Sequence, residues 1–468
     1  MASASKRCDS IPQRFYSWMI GARILRPRPS LEFIAFYLTP SIGQPKESAV
    51  VLTSPSRREA ADVVPFLRCE PMSSCQNRNA LVDFPRLPWA RFSVSLIFLI
   101  HGLIFATWAS RIPDFQARLQ LSPAILGRSL MMAAIGSVVA MTVAGRLISV
   151  FGSTRLVIAS SLGFCLALPL LAESSSVVTL SMALLFFGFM AGSMDVAMNT
   201  HAVLLERQFR RHIMSSFHAL FSLGGMAGSA LGGLVASFQV TSAMHFWLSG
   251  ITLAVMSLVA FKWIRLPMLD SDSGQAAARG AVRWSVTLGS LALLAFSIML
   301  IEGALADWSA IYLRSSRHTG PGFAALGYGA FSAAMALGRV TGDHLTAKLG
   351  RFHLASYGAL VSAAGLSIAL LFSDARFALL GFALTGAGLA TIIPNTFAAA
   401  GNIKDSAPGA SLAVITGAGY FGFLAGPPLI GFAAQRSNLH DALWILVILS
   451  ASSAVGAWWL MRASKASS

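Results

Sequence analysis

Charge is scarce in this chain: Asp, Glu, Lys and Arg supply 12% of its 468 residues, about half the ~25% of an ordinary soluble domain. Acidic residues are the scarcer sign, 19 against 35 basic, for a formal charge of +16. That excess does not point to nucleic acid, which needs a basic patch or stripe on a folded face. Here Lys and Arg fall in the gaps between apolar runs, the pattern of the positive-inside rule for membrane proteins. Cysteine is equally sparse. Cys8, Cys69, Cys75 and Cys165 have neither the even, close spacing of a disulfide framework nor the clustering of a metal site. A phosphate-binding loop ending in Gly-Lys-Ser/Thr is missing, so ATP is not the expected energy source. No His-Glu-x-x-His or nucleophile–base constellation suggests an enzyme. Neither cofactor nor metal is expected.

What the chain has in abundance is apolar sequence: 55% hydrophobic residues and a mean hydropathy of +0.66. A transmembrane helix needs about 20 mostly apolar residues, and twelve such runs follow one another from residue 89. They are predicted at 89–110, 124–147, 154–173, 176–200, 214–237, 243–264, 285–308, 322–345, 351–373, 376–399, 409–433 and 440–461. The expected fold class is therefore an all-α membrane protein of two six-helix bundles, residues 86–264 and 285–463, joined by a cytoplasmic link at 265–284. Lys and Arg crowd one side of the spans, from Arg86 and Arg91 through Arg207, Arg210 and Arg211 to Arg462. That bias predicts both termini in the cytoplasm.

The two bundles repeat each other. Ala191-Gly192 and Asn199-Thr200 of span four return as Ala387-Gly388 and Asn395-Thr396 of span ten at one constant offset. Ala227-Gly228 and Gly233 return as Ala425-Gly426 and Gly431, Trp108 as Trp308, and Leu126-Gly127 as Leu326-Gly327. Six spans per half make the repeat parallel, with its axis along the membrane normal, as in major facilitator transporters. Residues 1–85 lie outside the scheme. They read as a disordered extension or a start codon called too early, with Met72 a candidate true start.

Residues 86–463 resemble the major facilitator superfamily. The segments Ala304-Leu305-Ala306-Asp307-Trp308, Gly419-Tyr420-Phe421-Gly422 and Ala425-Gly426-Pro427-Pro428-Leu429-Ile430-Gly431 resemble a poorly characterised bacterial inner-membrane branch of it. The resemblance implies alternating access around a central site lined by spans one, four, seven and ten. It also implies a gate signature in the 2–3 turn. Gly145, Leu147, Gly152 and Arg155 match that signature, and Gly350 with Arg351 matches it in the 8–9 turn. Ser149 and Ala347 stand where the family has an acidic residue.

Ionisable groups within spans are costly in lipid and mark functional sites. Glu302 in span seven, Asp195 in span four and His101 in span one are the proton-coupling candidates; Glu302 would equally pair with a polar group of a neighbouring helix, and His101 would serve as a structural hydrogen bonder. Asp195 and Asn199 share a helix face at i, i+4; Asn199 and its counterpart Asn395 would hydrogen-bond a solute or, equally, hold helices together. His218 is expected to pair with Asp195. Arg339 and Asp343, one turn apart, are expected in a cytoplasmic-side network at the 8–9 turn. Trp108 and Trp308 would stack on a ring in the solute or form an interfacial belt. Asp307 is expected to sit solvated at the interface, and Pro427-Pro428 to break hydrogen bonds of the span-eleven helix and bend it.

The expected function is secondary active transport of a small solute, driven by an ion gradient and most simply by protons. The expected partners are the bilayer, the solute and protons, with the chain acting as a monomer. The alternative is a transporter-like receptor that binds its solute without moving it.

Overall fold

The computed structural model describes residues 87–209, 213–264, 284–401, 403 and 408–466. The expectations for residues 1–85 and for most of the 265–284 link lie outside them. Among the described residues, twelve helices are long and apolar enough to cross a membrane. They are α1 (Leu87–Ala109), α2 (Pro123–Phe151), α3 (Ser153–Ala172), α4 (Val177–Phe209), α5 (Met214–Ser237) and α6 (Ser242–Ile264) in the first half. The second half holds α7 (Val286–Ile311), α8 (Pro321–Leu349), α9 (Arg351–Leu371), α10 (Ala375–Leu389, resuming as Ile392–Ala400), α11 (Pro408–Arg436) and α12 (Trp444–Ala466). The fold is all-α, and the predicted spans coincide with these helices to within a few residues, except that α4 runs to Phe209, nine residues past its predicted end.

Local sequence sets the boundaries. Ser122 caps α2 by accepting a hydrogen bond from the Ile125 N–H, and Pro123 occupies the first helical position, where its missing N–H costs nothing. Ser285 caps α7 through the Leu288 N–H. Gly152 (φ 81°, ψ 152°) and Gly350 (φ 80°, ψ 149°) make the sharp 2–3 and 8–9 turns in a region of backbone space open essentially to glycine alone. Their agreement to within a few degrees is the sequence repeat expressed as geometry.

The repeat also governs packing. Ser161 of α3 hydrogen-bonds Ser257 of α6 at 2.8 Å, and Ser362 of α9 bonds Ser450 of α12 at the same distance. Arg118 donates to the carbonyls of Ala172 and Ser174 at the end of α3, and Arg317 donates to Ala369 and Leu370 at the end of α9. A positive side chain there satisfies carbonyls that a helix leaves unpaired. A methyl group on Gly228 of α5 would stand 2.8 Å from the Leu103 carbonyl of α1, and one on Gly426 of α11 3.3 Å from that of Leu300 in α7. Small residues thus bring the backbones of equivalent helix pairs into contact.

The repeat fails in α10. The equivalent α4 is continuous for 33 residues, but α10 breaks at Ala390 and Thr391. Pro394 has no N–H to offer the Ala390 carbonyl, four residues before it, and this removes one rung of the helix at the break. Pro427 and Pro428, by contrast, do not interrupt α11, which is one helical run from Pro408 to Arg436.

The halves meet along two seams, α2 against α11 and α5 against α8. Gly127 packs on the Pro427 carbonyl and Gly431 on that of Pro123; Gly233 and Gly322 face each other; Gly329 meets Ser229. These contacts gather at the end where α2 and α8 begin. Toward the other end the halves part around a cavity.

Candidate functional site

The cavity measures about 540 Å³ and takes walls from both halves, within the range of small-molecule sites. His101 of α1, Asp195 and Asn199 of α4, Glu302 of α7 and Asn395 of α10 all line it. The three proton-coupling candidates and the two asparagines singled out from the sequence therefore converge on one space. Arg339, His218, Tyr328, Tyr420, Thr346 and Thr391 line it as well.

Asp195 is held from two directions. Its Oδ1 accepts from the Asn199 side-chain amide at 3.1 Å, the i, i+4 relationship legible in the sequence. Its Oδ2 accepts from the Tyr420 hydroxyl at 3.0 Å. Tyr420 belongs to α11, so this bond crosses from one half to the other. The expected pairing of His218 with Asp195 is not what forms. The His218 ring sits edge-on to Phe98 at 5.3 Å, and its backbone carbonyl faces Arg339.

Glu302 lies 3.9 Å from the Arg339 guanidinium, both side chains being mostly buried. Arg339 also donates to Ser222 Oγ of α5 at 2.7 Å, a second polar link between the halves. Arg339, expected in a network with Asp343 at the 8–9 turn, thus has partners on other helices as well. Its position fixes its depth, but the facing helices are α7 and α5, and the guanidinium turns into the cavity toward the carboxylate there. The side chain of Asp343 lies outside the described residues.

Asn395 exchanges hydrogen bonds with Thr346 at 3.2 and 3.4 Å, joining α10 to α8. His101 is buried, edge-on to Phe164 and Phe221, and its Nδ1 has no hydrogen-bond partner. In the gate turns Arg155 is exposed, Arg351 is half-buried, and no atom approaches the position of a Gly145 side chain. Ser149 bonds only to the Arg146 carbonyl of its own helix.

Both readings of Trp108 and Trp308 are corrected. Neither lines the cavity, and neither faces lipid. Trp108 is 2% exposed and Trp308 fully buried; Trp108 packs among Phe115, Phe187 and Phe246. Tryptophan near a helix end is equally compatible with an outward or an inward face, and here the inward face wins through aromatic packing. Asp307 is likewise buried, at 9% exposure, and not solvated. It shares a turn with Trp308 on a stretch of α7 that is buried on every side, from Gly303 to Ile311.

Tyr420, Arg339 and Ser222 were not foreseen as cross-half partners. Tyr420 stood in view between Gly419 and Gly422, where glycine on both flanks marks a helix face pressed against a neighbour. Glu302 has no acidic counterpart, its equivalent in the first half being Gly102, where a side chain would collide with the Phe221 backbone.

A family model described as the Major Facilitator Superfamily matches residues 94–400. An uncharacterised MFS-type transporter of Yersinia pestis is 37% identical over 368 residues, 76% of this chain and 92% of the relative. Membrane protein MosC of Rhizobium meliloti is 33% identical over 357 residues, 76% of this chain and 86% of that protein. Among solved structures, a bacterial homologue of the human lysosomal transporter Spinster, inward-facing and occupied, superposes with a TM-score of 0.65. It shares 13% identity, covering 81% of this chain and 97% of its own. The nucleoside transporter NupG superposes at 0.57 with 14% identity, covering 80% and 98%. At such identities the likeness is one of fold. Together with twelve apolar helices in two repeated halves, these matches establish that the chain belongs to the major facilitator superfamily of multi-pass membrane transporters.

Proposed function

We propose that the protein is a proton-coupled secondary transporter of a small solute, working by alternating access in a bacterial inner membrane with both termini in the cytoplasm. The observation that carries this reading is the pair of carboxylates, one from each half, facing a single cavity and each tied to the opposite half. Asp195 reaches α11 through Tyr420; Glu302 reaches α5 through Arg339 and Ser222. A proton taken up by Glu302 cancels the charge that holds Arg339, and so bears on a link between the halves. Solute occupancy at Asp195 bears on the other link in the same way. Two states of the halves, each biased by proton and solute, are what coupling requires.

With the termini cytoplasmic, the glycine-lined seams lie at the outer end and the cavity extends toward the cytoplasm. The chain carries no phosphate-binding loop, which favours an ion gradient as the driving force. The test is solute uptake by proteoliposomes under an imposed proton gradient, over a panel of sugars, organic acids and organic cations. The expected result is accumulation of at least one solute that collapses with a protonophore and is lost in Glu302→Gln. A solute that binds but never accumulates would instead make the protein a receptor.

A further inference from the structure

Among the described residues, three formally charged side chains line the cavity: Asp195, Glu302 and Arg339. With neutral histidines at positions 101 and 218 they sum to one negative charge. Arg339 is engaged by Glu302 and Ser222, which leaves Asp195 with two neutral hydrogen-bond donors, Tyr420 and Asn199. An intramembrane carboxylate that faces a cavity and is bonded only to neutral donors is a place for a cation to bind.

The remaining wall narrows the class. Phe105, Phe221, Tyr328, Phe423, Met198 and Met299 contribute aromatic faces and soft thioethers. Aromatic faces attract cations through their quadrupole, and methionine adapts to irregular apolar shapes. The amides that a polyhydroxylated solute would need are already committed, Asn199 to Asp195 and Asn395 to Thr346. An anion would meet the uncompensated Asp195 and an Arg339 already held by Glu302.

We infer that the cavity binds an organic monocation, with Asp195 as its counter-charge and the aromatic and methionine walls as its apolar seat. This rests on reading the cavity as the solute site and names the class of solute it takes.

The test is equilibrium binding of tetraphenylphosphonium and benzyltrimethylammonium to the purified full-length protein, wild type, Asp195→Asn and Asp195→Glu, with neutral triphenylphosphine oxide as competitor. Saturable binding of at least one cation is expected, weakened tenfold or more in Asp195→Asn and within about threefold of wild type in Asp195→Glu, a tenfold change being 1.4 kcal/mol. The neutral competitor should displace the cation poorly. Equal affinity in Asp195→Asn, equal competition by the neutral compound, or no saturable binding of either cation would overturn the inference. Should Asp195→Asn not fold, the comparison of cation with neutral compound on wild type decides alone. Cation binding without uptake would sink the transport reading and leave this inference standing. Uptake of a neutral or anionic solute with no cation binding would do the reverse.

Discussion

The Tyr420 hydroxyl donates a 3.0 Å hydrogen bond to Asp195 Oδ2, joining α11 to α4 across the divide between the two halves. Both residues line the cavity, so a solute that reaches Asp195 meets this bond. A hydrogen bond to a charged group contributes roughly 1.5–3 kcal/mol, enough to bias two arrangements of the halves but not to lock one.

The first prediction follows from that bond. Tyr420→Phe and Asp195→Asn should each slow transport, and their double variant should be no slower than Asp195→Asn alone. A double-mutant cycle on transport rates should give a coupling energy of about 1.5–3 kcal/mol. Strict additivity would mean that the bond has no part in the cycle.

Arg339 and Glu302 make a second, separable prediction. Removing one member of a mostly buried charge pair leaves the other without its partner, at a cost on the order of 3 kcal/mol. Arg339→Met should therefore lower the thermal unfolding temperature in detergent, and Arg339→Met with Glu302→Gln should regain most of the loss. Transport should fail in both variants, because the arginine that reaches Ser222 is gone from each.

Glycines that make the same helix contact in the two halves should respond alike. Gly188 of α4 presses on the Ala133 backbone of α2, and Gly386 of α10 presses on Phe331 of α8. Neither has room for a methyl group. Substitution of either by alanine should reduce the yield of folded protein to a similar degree, whereas Gly145→Ala and Gly289→Ala, with open space around them, should leave it near wild type. Monodisperse yield on size exclusion is the readout.

The order and length of the helices were legible in the sequence because lipid imposes a length on every apolar run. The repeat was legible because close backbone contacts demand glycine, as at Gly228 against α1 and Gly426 against α7. Glu302, Asp195 and His101 stood out because a charge or imidazole in an apolar run needs an explanation. What the sequence withheld was direction around each helix. Trp108 and Asp307 lie near helix ends in either reading, and only packing turned them inward. Arg339 faces Glu302 on another helix, a contact that spacing along its own helix does not announce. The Tyr420–Asp195 bond spans 225 positions, beyond any periodicity. The break in α10 was within reach, since Pro394 forbids one backbone hydrogen bond, but a proline alone does not say whether a helix bends, breaks or continues, as the uninterrupted α11 shows.

Alternating access requires the halves to separate at the outer seams, and one cross-link tests it. A methyl group on Gly322 of α8 would lie 3.1 Å from the Ser237 Cβ of α5, close to the ~3.5–4.5 Å separation of a disulfide. Ser237→Cys and Gly322→Cys, combined in a chain with its four native cysteines replaced, should form a disulfide on oxidation. The account predicts that oxidation abolishes solute uptake by proteoliposomes and that a reductant restores it, with solute binding from the cytoplasmic side retained throughout. Undiminished uptake with the disulfide fully formed would contradict it.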